Sequence, residues 1–184
     1  MSQTALTYLA ENQERFQNEL IEFLRIPSIA HDPAHKADID KAARWLADKL
    51  RAMGVNNVEI MPTAGHPVVY GEWLATRGGA SAPTVLVYGH YDVQSPEPLA
   101  DWKSEPFAPQ IRDENLYARG SSDMKGQTLA SVNAVEAIIK TGGLPVNIKF
   151  LLEGEEEIGS AHLNEFLIQH REKLKSDFSL NTDA

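Results

Sequence analysis

Two side chains that could bind or support a metal ion follow the apolar run TVLVYG, residues 84–89. His90 comes directly after that run, and Asp92 comes two residues later. In an extended segment, side chains at positions i and i+2 lie on the same side. A histidine can bind a metal ion through one ring nitrogen while a carboxylate accepts a hydrogen bond from the other nitrogen and holds the ring. A single histidine after a strand is more often an ordinary hydrogen-bonded residue, so a metal site requires further ligands elsewhere in the chain.

Carboxylates recur at other places where predicted elements end or begin. The sequence EGEEE, residues 153–157, follows a second apolar run, and Asp183 follows a third. Asp123 comes just before a predicted helix. In open α/β sheets, ligands bind beyond the carboxyl ends of the strands. We therefore expect these acidic side chains to gather around His90 at one edge of a sheet.

A bound divalent cation would compensate the charge of such a cluster. Carboxylates held at close range repel one another, and without a cation one of them would take up a proton. One imidazole with several carboxylates suits zinc, manganese or cobalt, whereas calcium rarely recruits an imidazole. Each piece has an ordinary alternative, since Asp123 could cap a helix and residues 154–160 could form a solvated acidic turn at a helix N-terminus. Their joint placement favours a metal site.

Alternating helices and strands must position these residues. Helices are predicted over residues 5–25, 37–53, 125–140 and 160–174, the last with Ser160 as its N-cap. Strands are predicted at residues 57–61, 67–75, 84–89, 146–152 and 177–182, with a hairpin at 110–119 that turns at Glu114 and Asn115. This order of elements predicts an α/β fold, a three-layer α/β/α sandwich with a mostly parallel mixed sheet.

The composition excludes several classes of function. The 184 residues contain no cysteine, so disulfides, thiolate nucleophiles and cysteine-based zinc sites are excluded. The formal net charge is −9 and no cluster of Lys and Arg is present, which argues against nucleic acid and anionic membranes as partners. No apolar run reaches the roughly 18 residues of a membrane span. With no secretory signal visible, a cytoplasmic location is expected.

Four segments in chain order resemble motifs of the M20 family of dinuclear zinc metallopeptidases. They are VYGHYDVQ, WKSEPFAPQIRDENLYARGSSDMKGQ, LLEGEEEIGS and NTDA. Specifically, they resemble the dipeptidase branch, which includes carnosinase-like and cytosolic nonspecific dipeptidases. The resemblance implies a metal-dependent hydrolase that cleaves the peptide bond of dipeptides or short peptides, on a zinc-peptidase catalytic domain. The alternatives are an M20-type deacylase of N-acyl amino acids and a non-catalytic metal-binding fragment.

The resemblance also implies a role for each site residue. It implies metal ligands at His90, Asp123, Glu157 and Asp183. Asp123 would bridge two divalent ions, with Zn²⁺ as the first choice and Mn²⁺ or Co²⁺ as alternatives, and its peptide bond to Met124 would be cis. Asp92 would orient the His90 ring, and Glu156 would act as the general base.

Members of this family are generally longer than this chain. The resemblance therefore implies that residues 1–184 are the N-terminal part of a catalytic domain, with an inserted dimerisation domain and a C-terminal catalytic segment absent. That C-terminal segment would supply a second histidine ligand. We accordingly expect a homodimer for the full-length protein. The 184-residue chain is expected to be inactive by itself and to hold at most one well-occupied metal position.

Overall fold

A five-stranded sheet forms the middle of the fold. The structure is a computed structural model, and it describes residues 3–75 and 81–183. The strands of this described chain are β1 (Asn56–Met61), β2 (Val68–Trp73), β3 (Thr84–His90), β4 (Gln110–Arg112), β5 (Asn115–Tyr117), β6 (Asn147–Glu153) and β7 (Phe178–Asn181). The sheet has the order β1-β2-β6-β3-β7, while β4 and β5 form a separate hairpin.

The sheet is mixed and mostly parallel, as the sequence predicts. β6 and β3 run parallel, and so do β3 and β7. β2 is antiparallel to both β6 and β1, so within the described sheet β1, β3, β6 and β7 point one way and β2 points the other way. In the register of the central pair, His90 lies opposite Glu153. Both strands therefore end at the same edge of the sheet.

The helices of the described chain are α1 (Gln3–Glu11), α2 (Gln13–Leu24), α3 (Lys36–Met53), α4 (Lys125–Lys140), α5 (Leu163–Gln169) and α6 (Arg171–Leu174). The pairs α1/α2 and α5/α6 replace the single helices predicted over residues 5–25 and 160–174. The longest helix, α3, has 18 residues. Among the residues described, no helix is both long and apolar enough to cross a membrane.

These helices cover both faces of the sheet. Neighbouring residues of a strand point to opposite faces, and β6 illustrates the result. Phe150 packs in a large core with α2, α3 and α4, whereas Leu151 packs in a smaller core with α5 and α6. The three-layer α/β/α sandwich is thus confirmed.

Two local predictions are wrong. Ser160 is not an N-cap: its backbone is left-handed with a φ of 50°, its hydroxyl donates to Glu153 Oε1 at 2.9 Å, and α5 begins only at Leu163. The hairpin turns one residue earlier than predicted, because Asp113 and Glu114 both have positive φ values, 49° and 62°. Two consecutive left-handed residues are typical of the tight turn that matches the twist of paired strands.

An ionic cluster ties the first two helices to the layer on one face. The Lys49 ammonium on α3 contacts Glu19 on α2 and Glu136 on α4, each at 2.6 Å. Arg15 Nη2 lies 2.5 Å from Glu136 Oε1, and the Tyr8 hydroxyl donates to the same oxygen at 2.9 Å. Lys49 and Glu136 are both buried. Removing one partner of a buried ion pair leaves the other charge without compensation, which is strongly destabilising.

We predict that Glu136→Ala lowers the free energy of unfolding by about 3 kcal/mol, because the buried Lys49 ammonium then keeps only Glu19. Asp48→Ala is the control, since it removes an exposed pair with Arg51 and should cost no more than about 0.5 kcal/mol. Urea denaturation followed by circular dichroism measures both values. Equal losses in the two variants would contradict a major stabilising role for the cluster.

The pH dependence of stability should change in the same variant. Burial opposes the charge on Glu136, but hydrogen bonds from Arg15 and Lys49 outweigh burial and lower the pKa of this carboxyl below its ordinary value of 4.5. Such a carboxyl stabilises the fold above its unfolded pKa, and this contribution is lost as the pH falls through the folded pKa. The stability difference between wild type and Glu136→Ala should therefore shrink on acidification below the ordinary value. A difference that stays constant into that range would contradict the lowered pKa.

Candidate metal centre

Four chain segments bring polar side chains to one edge of the sheet. β3 ends at His90, and Asp183 follows the end of β7. Asp123 lies shortly before α4, and residues 154–157 follow β6. Because β3, β6 and β7 are parallel, their carboxyl ends meet at this edge. The structure brings together the side chains of His90, Asp123, Glu156, Glu157 and Asp183.

The Nε2 atom of His90 lies within this group. It is 3.3 Å from Asp123 Oδ1, 3.7 Å from Asp183 Oδ2 and 3.8 Å from Glu156 Oε2. Ligand atoms of His90, Asp123 and Glu157 lie within 4.8 Å of one another, and the same holds for the group of His90, Glu156 and Asp183. Ligands bound at about 2.0–2.1 Å in a tetrahedral zinc site lie about 3.3 Å apart. The spacing of these atoms therefore fits divalent metal ions.

The two ring nitrogens of the fully buried His90 have different surroundings. Nδ1 lies 3.1 Å from the Asp92 carbonyl oxygen and 3.3 Å from Asp92 Oδ1. Nε2 is buried without a hydrogen-bond partner among the residues that the structure describes. A buried polar atom without a partner is costly. With a proton on Nδ1 toward Asp92, Nε2 carries the lone pair that binds a metal ion. This donor set, one imidazole among carboxylates, fits zinc, manganese or cobalt.

Asp92 connects the histidine to the acidic loop after β6. Its carboxylate is fully buried and accepts hydrogen bonds from the backbone N–H groups of Glu156 at 3.3 Å and Glu157 at 3.0 Å. The contact with the His90 ring that the sequence predicts is also present. The contact with the loop has no signal in the sequence, because the segments lie 64 residues apart. One carboxylate therefore sets the position of His90 relative to both glutamates.

Further contacts support the segments around this group. Gln94 Nε2 donates to the carbonyl oxygen and to Oε2 of Glu157, at 3.0 and 2.9 Å. On α4, the Thr128 hydroxyl donates to the His90 carbonyl oxygen at 3.2 Å. The Asp123–Met124 peptide bond is cis, as the family resemblance implies. Sequence reasoning missed Gln94 and Thr128. For Gln94 the one available signal was the i, i+2 alternation that continues from Asp92, and for Thr128 there was none.

Other polar residues near the acidic loop have partners of their own. Glu155 is buried and lies 3.0 Å from His162 Nδ1. Glu153 accepts hydrogen bonds from the Tyr88 hydroxyl at 2.7 Å and the Ser160 hydroxyl at 2.9 Å. In the described part of the chain, neither carboxylate belongs to a metal-binding group. Their hydrogen bonds therefore connect the end of β6 and the acidic loop to neighbouring segments.

The charges of the cluster act on one another. Burial opposes the charged form of His90, but the hydrogen bond and charge of Asp92, with the charge of Glu156, outweigh burial and raise the pKa of His90 to about 9. Burial raises the pKa of Glu157, and the charge of Asp123 adds to this effect. The cluster thus favours bound protons. A divalent cation would take the place of these protons, because it stabilises the charged carboxylates and binds the lone pair of the histidine.

A sheet edge that presents one imidazole among carboxylates from several segments has the donor set of a metal-dependent hydrolase. Residues 86–183 match the sequence model of peptidase family M20/M25/M40. This match spans more than half of the 184 residues. The chain belongs to that family.

Three relatives show how far the similarity extends. Cys-Gly metallodipeptidase DUG1 of Candida albicans is 33% identical over 174 residues, which cover 86% of this chain and 35% of the relative. The M20 family metallo-carboxypeptidase Sso-CP2 of Sulfolobus solfataricus is 40% identical with a TM-score of 0.81, over 90% of this chain and 36% of that one. Human carnosine dipeptidase 1 is 31% identical with a TM-score of 0.86, over 98% of this chain and 40% of that one. The chain thus spans between a third and two fifths of the length of these relatives.

In the metal-free protein, we predict that Asp92→Asn lowers the pKa of His90 from about 9. The variant removes the negative charge of Asp92, which is the main factor that counteracts the effect of burial on this pKa. An NMR titration of the histidine ring protons measures this pKa. Glu155→Gln is the matched control, since it removes a carboxylate beside a different histidine, His162. A His90 pKa that stays unchanged in Asp92→Asn would contradict the arrangement described above.

Zinc affinity should rise as the pH increases from about 6 to 8, because zinc must displace the proton that His90 holds up to about pH 9. One proton released per ion corresponds to a change of up to about tenfold in Kd per pH unit. Isothermal titration calorimetry in buffers of different ionisation enthalpy measures both the affinity and the proton release. Zinc binding with a constant Kd and no proton release would rule out His90 as a ligand.

Proposed function

We propose that the protein is a metal-dependent peptidase that hydrolyses the peptide bond of dipeptides or short peptides. The observation that carries this proposal is the buried, unpartnered Nε2 of His90, which faces carboxylates from three other chain segments within the described structure. Membership of peptidase family M20/M25/M40 supports it. Two of the three relatives described above are dipeptidases by name, which favours short substrates.

The proposed centre binds two divalent ions, with zinc as the first choice and manganese or cobalt as alternatives. Following the family resemblance, one ion would be held by His90, Asp123 and Asp183, whose oxygens lie 3.3 and 3.7 Å from His90 Nε2, and Asp123 would share a second ion with Glu157. In the described part of the chain, both candidate groups contain His90 and no second histidine. With His90 on the first ion, the second ion would draw only carboxylates from this part of the chain and should bind more weakly. A second histidine from elsewhere in the full-length protein stays a prediction.

When bound, two divalent ions lower the pKa of water and polarise a carbonyl group. The chain's own part in the reaction is proton transfer by Glu156. Its Oε2 atom lies 3.8 Å from His90 Nε2, and Asp92 holds its backbone N–H. In this proposal, Glu156 Oε2 takes a proton from the attacking water and then gives it to the departing amine nitrogen. The carboxylate accepts one proton and returns one, so it ends the cycle in its starting form.

The activity is proposed for the full-length protein, because the chain spans 35%, 36% and 40% of the three relatives. We also propose that the full-length protein is cytoplasmic, as expected from the sequence, and a homodimer, as the family resemblance implies. An inserted dimerisation domain and a C-terminal catalytic segment belong to the same proposal. The 184-residue chain alone is expected to bind metal without turning over peptides.

In the full-length protein, Glu156→Gln should keep its zinc content near the wild-type amount while dipeptide hydrolysis falls by roughly two orders of magnitude or more, as expected for loss of a general base. Asp123→Ala should lose both zinc and activity, because the two ions would share that carboxylate. Mass-spectrometric metal analysis and turnover of a dipeptide panel separate these effects. Equal turnover in wild type and Glu156→Gln would remove Glu156 from the mechanism. Hydrolysis of N-acyl amino acids without hydrolysis of dipeptides would assign a deacylase instead.

A further inference from the structure

Lys125, the first residue of α4, is fully buried. Its Nζ atom donates to the carbonyl oxygens of Phe23 at 3.2 Å and Ile26 at 2.7 Å, at the C-terminal end of α2. The same atom lies 4.7 Å from the centre of the Phe23 ring. Lys125 follows the proposed bridging ligand Asp123 by two residues. The start of α4, and with it the Asp123 segment, is therefore fastened to residues 23–26.

The residues that follow Ile26 in the chain contact the segment that carries His90. Ser28 is fully buried, and its hydroxyl donates to the Tyr91 carbonyl oxygen at 2.6 Å. The backbone N–H of Val93 donates to the Ser28 carbonyl oxygen at 2.9 Å. Tyr91 lies between His90 and Asp92 in the chain. Residues 23–29, which we call the strap, thus contact both the His90 segment and the Asp123 segment.

The strap adds a second connection between the His90 and Asp123 segments, which Thr128 of α4 also links through its hydrogen bond to the His90 carbonyl oxygen. The His90 and Asp123 ligand atoms lie 3.3 Å apart, which is the separation that a tetrahedral zinc ion requires of two ligands, about 3.3 Å. In a genuine metal site, the metal–ligand distances lie within about 0.2 Å of their standard values. The strap lies outside residues 86–183, the part of the chain that the family's sequence model matches.

Burying the Lys125 amine in the interior is costly unless hydrogen bonds compensate it, and the Phe23 and Ile26 carbonyl oxygens accept those bonds. The hydrogen bonds of Lys125 are directional, whereas an apolar replacement would only fill space. Burial lowers the pKa of Lys125 to about 7, and a neutral amine keeps two N–H groups, so both bonds are available on either side of that pKa.

We propose that Lys125 and Ser28 are positioning residues of the metal centre, and that the strap holds His90 and Asp123 at the spacing of two ligands of one ion. This inference rests on the proposed metal centre. Residues that hold ligands in place typically contribute ten- to hundredfold to metal affinity, and we expect the same order here.

The test compares three variants of the purified protein, Lys125→Met, Ser28→Ala and Lys49→Met. Lys49→Met is the matched control, because Lys49 is also buried but contacts Glu19 and Glu136 in the ionic cluster. Zinc titrations give the Kd, visible absorption of bound Co²⁺ reports the ligand geometry, and thermal unfolding of the metal-free forms reports stability. Lys125→Met and Ser28→Ala should bind zinc roughly ten- to hundredfold more weakly and change the Co²⁺ spectrum. Lys49→Met should unfold at a lower temperature yet bind as wild type does.

The outcomes separate the two proposals. Wild type without zinc binding at His90 would overturn the metal centre itself. If the wild type binds zinc and both Lys125→Met and Ser28→Ala keep its affinity and Co²⁺ spectrum, the metal centre is supported. The proposed positioning role of the strap is then wrong. Weakening that is equal in all three variants would show a general loss of stability and would also overturn it. If Lys125→Met does not fold, Ser28→Ala decides the question, because it removes a single hydrogen bond.

Discussion

Repulsion among carboxylates gathered around one buried imidazole is the main physical constraint on the candidate metal centre. Asp123, Glu156 and Asp183 all present an oxygen within 3.8 Å of His90 Nε2, and Asp92 lies on the other side of the ring. Such an arrangement is unfavourable unless positive charge compensates it. In the metal-free state the compensation includes a proton on His90, whose pKa is raised to about 9. A divalent cation would supply the same charge without the proton.

The fold holds these groups together by apolar packing that does not involve them. Parallel pairing of β3 with β6 and β7 places three strand ends at one edge, and cores on both faces of the sheet keep the strands in register. Helix α4 approaches β3 very closely beside His90, since a Cβ atom on Gly89 would lie 2.6 Å from Thr128 Oγ1. Only glycine permits that approach without displacing the threonine hydroxyl. The packed strands and α4 thus hold the backbone of the residues that face the candidate metal position.

The sandwich and the acidic edge could be predicted from the sequence, because apolar runs mark the buried strands and the acidic residues follow them directly. The supporting contacts could not be predicted. Gln94 and Ser28 each contact a residue 63 positions away, and Lys125 reaches back 102 positions, so no local pattern records these pairings. The N-cap prediction failed for a related reason. Ser160 stands where a cap is common, but the carboxylate of Glu153, a residue of β6, accepts its hydroxyl.

The most direct test of the central claim is an anomalous diffraction experiment at the zinc absorption edge on crystals of this protein grown with zinc. The account predicts a peak about 2.0–2.1 Å from His90 Nε2, with carboxylate oxygens of Asp123 and Asp183 in the same coordination sphere. An occupied zinc position at His162 and Glu155 instead, or no peak beside His90 at saturating zinc, would contradict it.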